Sequence, residues 1–179
     1  MPVYQLHDEI AFPDPTEAEA DGLLAVGGDL SPERVLAAYS IGIFPWPHAG
    51  YPLMWFSPDP RYVLFPDELS LARSLKQTIK KQRFEVRYDT DFAGVIAGCS
   101  NVKRKGQRGT WITRPMLKAY TQVHELGFAH SAEAWRDGKL VGGLYGVSLG
   151  AAFFGESMFA TQDDASKVAF AMLVDKLKN

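Results

Sequence analysis

An α+β fold is predicted for this 179-residue chain by three observations. From Asp67 onward, stretches with helical periodicity alternate with short period-2 stretches, which read as helices and strands in turn. Two of those strand-like stretches meet at Asp137-Gly138, the dipeptide of a tight hairpin, and a third follows across Leu149-Gly150. Consecutive hairpins build a meander, so the sheet is expected to be mixed but mostly antiparallel. The first 65 residues have another texture, rich in Pro, Gly and aromatics, and are expected to form a small N-terminal α/β domain. The expected organisation is therefore residues 1–65 as an aromatic and proline-rich domain and residues 66–179 as a second domain.

In the N-terminal part, Phe12-Pro13-Asp14-Pro15 is extended or turn-like, because proline drives its predecessor out of the α region. Gly27-Gly28-Asp29-Leu30-Ser31-Pro32 is a turn into a helix, with Ser31 as cap and Pro32 in the first turn. The helix runs from Glu33 to about Ile41 and stops at Gly42. Two aromatic-proline clusters follow, Gly42 to Trp46 and Met54 to Arg61. Prolines fix φ and aromatics supply area with few rotors, so the clusters make either rigid ligand walls or a small packing core.

In the second part, Glu68 to Gln82 is expected as a helix burying Leu71, Leu75 and Ile79. Phe84 to Tyr88 alternates as a strand, and Asp91 to Cys99 resembles a helix. Pro115 opens a helix ending near Leu126. Ala129 to Trp135, Lys139 to Ser148 and Gly150 to Phe159 are the meander strands, and Val168 to Leu177 is a helix preceded by capping candidates at Asp163 and Asp164.

Composition narrows function. Hydrophobic and charged fractions of 46% and 22% are ordinary for a globular protein. The formal net charge is -2, so nucleic-acid binding would have to rest on a local patch. No run of about 18 apolar residues exists, so no membrane-spanning helix and no membrane partner is expected. No basic stretch followed by an apolar core opens the chain, so no secretory signal is expected, and the single Cys99 fits a reducing cytoplasm. His7, His48, His124 and His130 have no metal-ligand spacing; neither a metal nor a cofactor is expected.

Two features point to chemistry. Phe153 to Phe159 holds one carboxylate, Glu156, within an apolar run. Strict alternation would put Phe154, Glu156 and Met158 on one face, as the wall of a site for a ligand with apolar and polar parts, or as an outward-facing Glu on a half-exposed strand. Arg73, Lys76, Lys80 and Arg83 form one helical stripe, and Lys103-Arg104-Lys105 with Arg108 form a second basic group. Such stripes are either solvated faces or grips for a phosphate backbone. No nucleophile elbow, phosphate loop or activated cysteine is visible. Gly142-Gly143-Leu144-Tyr145-Gly146 lies within a strand, where glycines are expected to allow close approach of a ligand to the backbone.

Seven blocks occur in order: Gly22 to Leu30, Tyr39 to Trp46, Trp55 to Arg61, Thr110-Trp111-Ile112-Thr113, Gly142 to Gly146, Phe153 to Phe159, and Ala165-Ser166-Lys167. Together they resemble the leucyl/phenylalanyl-tRNA–protein transferase family. That resemblance implies an N-acetyltransferase-like second domain. It further implies transfer of Leu or Phe, and also Met, from Leu-tRNA or Phe-tRNA to acceptor proteins with an N-terminal Arg or Lys, marking them for degradation.

Carried over from the family, Trp46, Trp111, Leu144, Met158, Phe170, Leu173 and Leu177 would wall a pocket for the aminoacyl side chain and terminal adenosine. Glu156 would be the catalytic-site polar contact near the ester or amine, and Arg73, Lys76, Lys80 and Arg83 the acceptor-stem contact. The family also implies an Asp-Cys-Gln strand after the last helix, whose Asp and Gln handle the amine's proton. Residues up to Asn179 do not contain it, so the sheet is expected to lack its last strands and the chain to show little transferase activity while keeping much of the pocket. A monomer is expected. Two other readings are an acyl-CoA N-acetyltransferase, for which no pyrophosphate loop is visible, and a non-catalytic tRNA-binding module using the basic stripe.

Overall fold

The computed structural model describes residues 3–48, 50–102 and 110–178. It is an α+β protein of two compact units: Met1–Tyr62 with Gln107–Val123, and Val63–Gly106 with His124–Asn179.

The first unit contains strands β1 (Tyr4–Leu6) and β2 (Leu23–Gly27), helix α1 (Pro32–Ser40), and strands β3 (Phe44–Pro45) and β4 (Met54–Phe56). Their sheet order is β1-β2-β4-β3, with β1 parallel to β2 and the other pairs antiparallel. The start of α1 follows the sequence: the Ser31 hydroxyl accepts from Arg34 N–H, and Pro32 fills a first-turn position that needs no donor. Past its end, Gly42 takes φ +81°, which releases the chain into β3. Leu24, Val35, Ile43 and Trp55 are wholly buried, and the Trp55 indole N–H donates to the Gly27 carbonyl at 3.0 Å. Beneath the turn, the buried Arg34 guanidinium donates to the backbone carbonyls of His7, Asp8 and Glu9. The burial of a charge there is offset by three acceptors and by Asp29 at 3.5 Å.

The second unit contains helix α2 (Arg73–Lys80), strand β5 (Glu85–Tyr88), helix α3 (Phe92–Asn101), strands β6 (Ala129–Arg136), β7 (Lys139–Leu149) and β8 (Ala152–Ala160), and helix α5 (Ala165–Lys176). Helix α4 (Arg114–Glu125) lies between α3 and β6 in the chain, and its residues up to Val123 group with the first unit. The sheet order is β5-β6-β7-β8, antiparallel throughout; the parallel pairing sits in the first unit. Asp137 and Gly138 both take positive φ, 51° and 70°, as a two-residue hairpin loop requires.

Helix α5 covers one face of this sheet, and α3 packs on β7 and β8 from the other. Leu75 of α2, Ala132 and Ala134 of β6, Leu144 of β7, and Val168 and Leu173 of α5 form the apolar core between sheet and helices. Small residues set the spacing. At Gly142 an added Cβ would sit 2.6 Å from the Ala165 Cβ and 2.9 Å from the Ser166 nitrogen. The glycines of β7 thus admit protein rather than a ligand: Gly142 meets α5, and Gly143 and Gly146 meet the backbones of neighbouring strands.

The helix expected over Glu68 to Gln82 is shorter. Pro66–Glu68 forms one 3-10 turn, Leu69 is extended, and α2 begins only at Arg73. Its end is set by Gln82, which takes φ 48° and turns the chain toward β5. Leu71 therefore precedes the helix and Arg83 follows it, although Leu71, Leu75 and Ile79 all meet the core as the periodicity predicts.

Candidate functional site

The two faces of the second sheet follow from cross-strand register. Tyr88, Ala132, Leu144 and Met158 form one row on the α5 face. Leu144 and Leu173 are buried in one cluster, with Phe153 and Phe170 packed against it. Met158, directly opposite Leu144, is 43% exposed, and Leu177, just past α5, is 44% exposed. Four expected pocket residues (Leu144, Met158, Phe170 and Leu173) thus belong to one end of one apolar face, with Met158 at its solvent edge.

The alternation expected for Phe154, Glu156 and Met158 is broken. Ser157 pairs with Tyr145, and Gly155, not Glu156, pairs with Gly146. Glu156 is the extra residue of a β-bulge, which shifts the period by one and turns the two halves of β8 over. Phe154 lies opposite Val147, while Met158 lies opposite Leu144, so these two side chains take opposite faces. Phe153, opposite Ser148, shares the Met158 face in its place. Bulges re-aim side chains, and here the re-aimed one is the half-buried Glu156 carboxylate.

Trp46 and Trp111 lie in the first unit. Trp46 follows β3, is 41% exposed, and is surrounded by Phe44, His48 and Phe56 with ring centroids 6.0–6.4 Å from its own. Trp111 is half-buried, two residues before Thr113. Arg73, Lys76 and Lys80 fall on the exposed side of α2, opposite the buried Leu75 and Thr78. Arg83 is exposed beyond the helix, its guanidinium 5.8 Å from the Phe84 ring centroid. The second basic group, Lys103, Arg104, Lys105 and Arg108, lies outside the described residues. Cys99 is buried, and the described residues contain no group of three side chains suited to a metal ion.

Sequence reasoning missed a second carboxylate. Glu133 of β6 is completely buried on the α3 face. It accepts from Thr90 N–H at 2.9 Å, Asp91 N–H at 2.8 Å, the Ser131 hydroxyl at 2.9 Å, the Trp135 indole at 2.9 Å, and the Thr90 hydroxyl. Burial pushes its pKa up, but these donated bonds outweigh it and hold the carboxyl below its ordinary range. Its signal was present: Ser131, Glu133 and Trp135 alternate along one face, a polar triplet that resembles a solvated face until α3 is known to cover it. The same turn carries Asp89, whose Oδ2 lies 2.8 Å from Nδ1 of His130.

At the start of α5, Asp164 accepts from Lys167 and from Thr78 of α2. The Lys167 bond, with help from Thr78 and Arg83, keeps its carboxyl below the ordinary range against some desolvation.

Residues 63–179 match the leucyl/phenylalanyl-tRNA protein transferase family, and residues 28–59 match the N-terminal domain of the same family. The chain belongs to this family. The leucyl/phenylalanyl-tRNA–protein transferase of Myxococcus xanthus (strain DK1622) is 59% identical over 180 residues, an alignment covering 99% of this chain and 77% of that protein. That of Desulfatibacillum aliphaticivorans is 58% identical over 177 residues, covering 99% and 76%. That of Thermodesulfovibrio yellowstonii is 55% identical over 177 residues, covering 99% and 72%. In family terms, Trp46 falls in the matched N-terminal domain, and Glu156, Leu144, Met158 and the α2 cations fall in the transferase domain. Among the described residues no helix is long and apolar enough to cross a membrane.

Proposed function

We propose that this chain moves Leu or Phe, and also Met, from aminoacyl-tRNA to the N-terminal Arg or Lys of an acceptor protein. Family membership carries the reading, and the transferase-domain geometry supports it. An apolar face ending at Met158 suits an aliphatic or aromatic side chain. It discriminates a methylene by only about 1–3 kcal/mol, in keeping with mixed Leu, Phe and Met use. The exposed Trp46 ring offers a stacking surface for the terminal adenine. Arg73, Lys76, Lys80 and Arg83 supply positive charge for the acceptor stem.

The chemistry needs no enzyme nucleophile, because the aminoacyl ester is already activated. The acceptor amine, with a pKa of about 7.7–8.0, is mostly protonated at pH 7 and must lose a proton before it attacks. The protein's contribution is to position the two reactants and stabilise the oxyanion that develops on the ester carbonyl. Glu156, re-aimed by the bulge, is the group we assign to hold the amine or ester. The product would carry a degradation signal, made by a monomeric enzyme in the cytoplasm.

Glu156→Ala tests this. Transfer of labelled leucine from charged tRNA to a peptide beginning with Arg should fall by at least about 10²-fold, while the thermal midpoint stays near the wild-type value, because a charge is removed rather than packing area. Parallel losses of stability and transfer would make Glu156 a structural residue.

A further inference from the structure

The β3–β4 hairpin displays more aromatic surface than one stacked adenine needs. Pro45 and Trp55 pair across the hairpin and are buried, so the residues flanking them point outward. Phe44 lies opposite Phe56 in a stacked pair, and Trp46 N–H continues the ladder to the Met54 carbonyl. Phe44, Phe56, Trp46 and His48 form one patch, with the His48 ring centroid 6.0 Å from that of Trp46 and 6.4 Å from that of Phe56.

The patch is closed at one end and open at the other. Phe44 and Phe56 are half-buried, and the Arg61 guanidinium sits 5.0 Å from the Phe44 ring centroid. Trp46 and His48, both exposed, make the open end. Two residues past His48, an added Cβ at Gly50 would meet nothing within 4 Å, so the hairpin loop there is uncrowded. His48 is nevertheless held in place. Its Nδ1–H donates to the Trp46 carbonyl at 3.2 Å, and its own carbonyl accepts from Tyr51 N–H. An exposed ring tethered in this way loses little rotamer freedom when a ligand stacks on it.

The spacing decides how a planar ligand can use the two open rings. A base inserted between them needs carbon contacts of about 3.5 Å on each side, roughly 7 Å in all. The rings are 6.0 Å apart and tilted by 30°, too close for a sandwich. Each can instead take its own base, as neighbouring aromatics on a sheet stack successive bases of single-stranded RNA. On the other flank of Trp46, the half-buried Phe44 and Phe56 offer less surface, and Arg61 already lies over Phe44.

We propose that His48 stacks the nucleotide preceding the terminal adenosine, so that the hairpin holds two bases of a single-stranded tRNA 3′ end; this rests on the reading of Trp46 as the surface for the terminal adenine. The occupant is RNA because the His48 ring continues the Trp46 surface without a break, and every charged tRNA brings two consecutive planar bases to it. An acceptor protein would bring two adjoining rings only where its sequence happened to contain them.

The test is an NMR titration that compares adenosine 5′-monophosphate (AMP) with the dinucleotide CpA, which adds one base to the same adenosine and phosphate. One more stacked base is worth roughly 5–150-fold in affinity, so CpA should bind more tightly than AMP by at least the lower figure. His48→Ala should erase that advantage while AMP binds as it does to the wild type. His48→Phe, which keeps a ring, should retain it. The proposal is overturned if CpA binds no more tightly than AMP, if the advantage survives His48→Ala, or if His48→Phe abolishes it. Trp46→Ala should weaken both ligands; AMP binding indifferent to that change would overturn the adenine surface and the two-base platform with it. A wild-type protein that holds CpA through His48 yet moves no leucine from charged tRNA to a peptide beginning with Arg would overturn the transfer reading and leave the platform standing.

Discussion

Removing the Glu133 carboxylate should be among the most destabilising single changes in the second unit. Glu133→Ala leaves five donors without their acceptor. The two hydroxyls can rotate and the half-buried Trp135 indole can reach water, but the backbone N–H groups of Thr90 and Asp91 are fixed where α3 begins. An unsatisfied buried donor costs about 1–3 kcal/mol, and because Thr90 is an exposed residue and Asp91 half-buried, the two together cost about 2–4 kcal/mol. At about 2–4 °C per kcal/mol for a protein of this size, a 4 kcal/mol loss lowers the midpoint by roughly 8–16 °C. Glu133→Gln keeps one acceptor oxygen and should lose about half as much.

The pH dependence has a definite sign. The folded-state pKa of Glu133 lies below the unfolded value, so the unfolded chain binds the proton first as pH falls. Its contribution is therefore complete above the ordinary Glu range, near pH 5, and fades as the pH drops through the lowered folded value. Glu133→Gln should flatten that part of the acid limb. Urea unfolding followed by far-UV circular dichroism, at pH 7 and again below pH 5, measures both effects. A Glu133→Ala loss under about 1 kcal/mol, or a Gln variant with the wild-type acid limb, would refute the assignment.

Other outcomes follow from the same geometry. Lys76→Glu and Lys80→Glu should each weaken tRNA binding and reduce the slope of log affinity against log salt by about one, leaving stability within about 0.5 kcal/mol; a salt titration of binding decides. Gly142→Ala should cost about 1–3 kcal/mol, because the new methyl meets the α5 backbone near Ser166. Gly155→Ala, with open space at its Cβ, should be close to neutral in the same unfolding assay.

Much of this architecture could be read from local chemistry. The Ser31 cap with Pro32, the Asp137-Gly138 hairpin and the reversal at Gly150 each depend on a few adjacent residues, and each stands where local rules put it. The start of α2 did not, because the apolar spacing of Leu71, Leu75 and Ile79 is satisfied whether or not Leu71 is helical. The bulge was hidden for a similar reason: Phe-Phe-Gly-Glu-Ser-Met-Phe alternates equally well in two registers, and only pairing with β7 selects one. Glu133 was missed because Ser131, Glu133 and Trp135 on alternate positions of a strand read as solvent-facing, and the burial of Glu133 depends on the N-terminus of a helix, where Asp91 lies 42 residues away in the chain.

The bulge in β8 makes the segment sensitive to counting as well as to chemistry. Counted in twos from Phe153, the side chains toward α5 fall on odd numbers; counted back from Met158, they fall on even ones. The two tallies disagree by one, and Glu156 stands at the disagreement. Deleting any single residue between Phe154 and Met158 would reconcile them, straighten the strand and abolish the position that Glu156 occupies, with every other residue type still present. In this stretch, residue count matters as strictly as residue identity: side chains around the carboxylate can be exchanged, but the odd residue out has to remain.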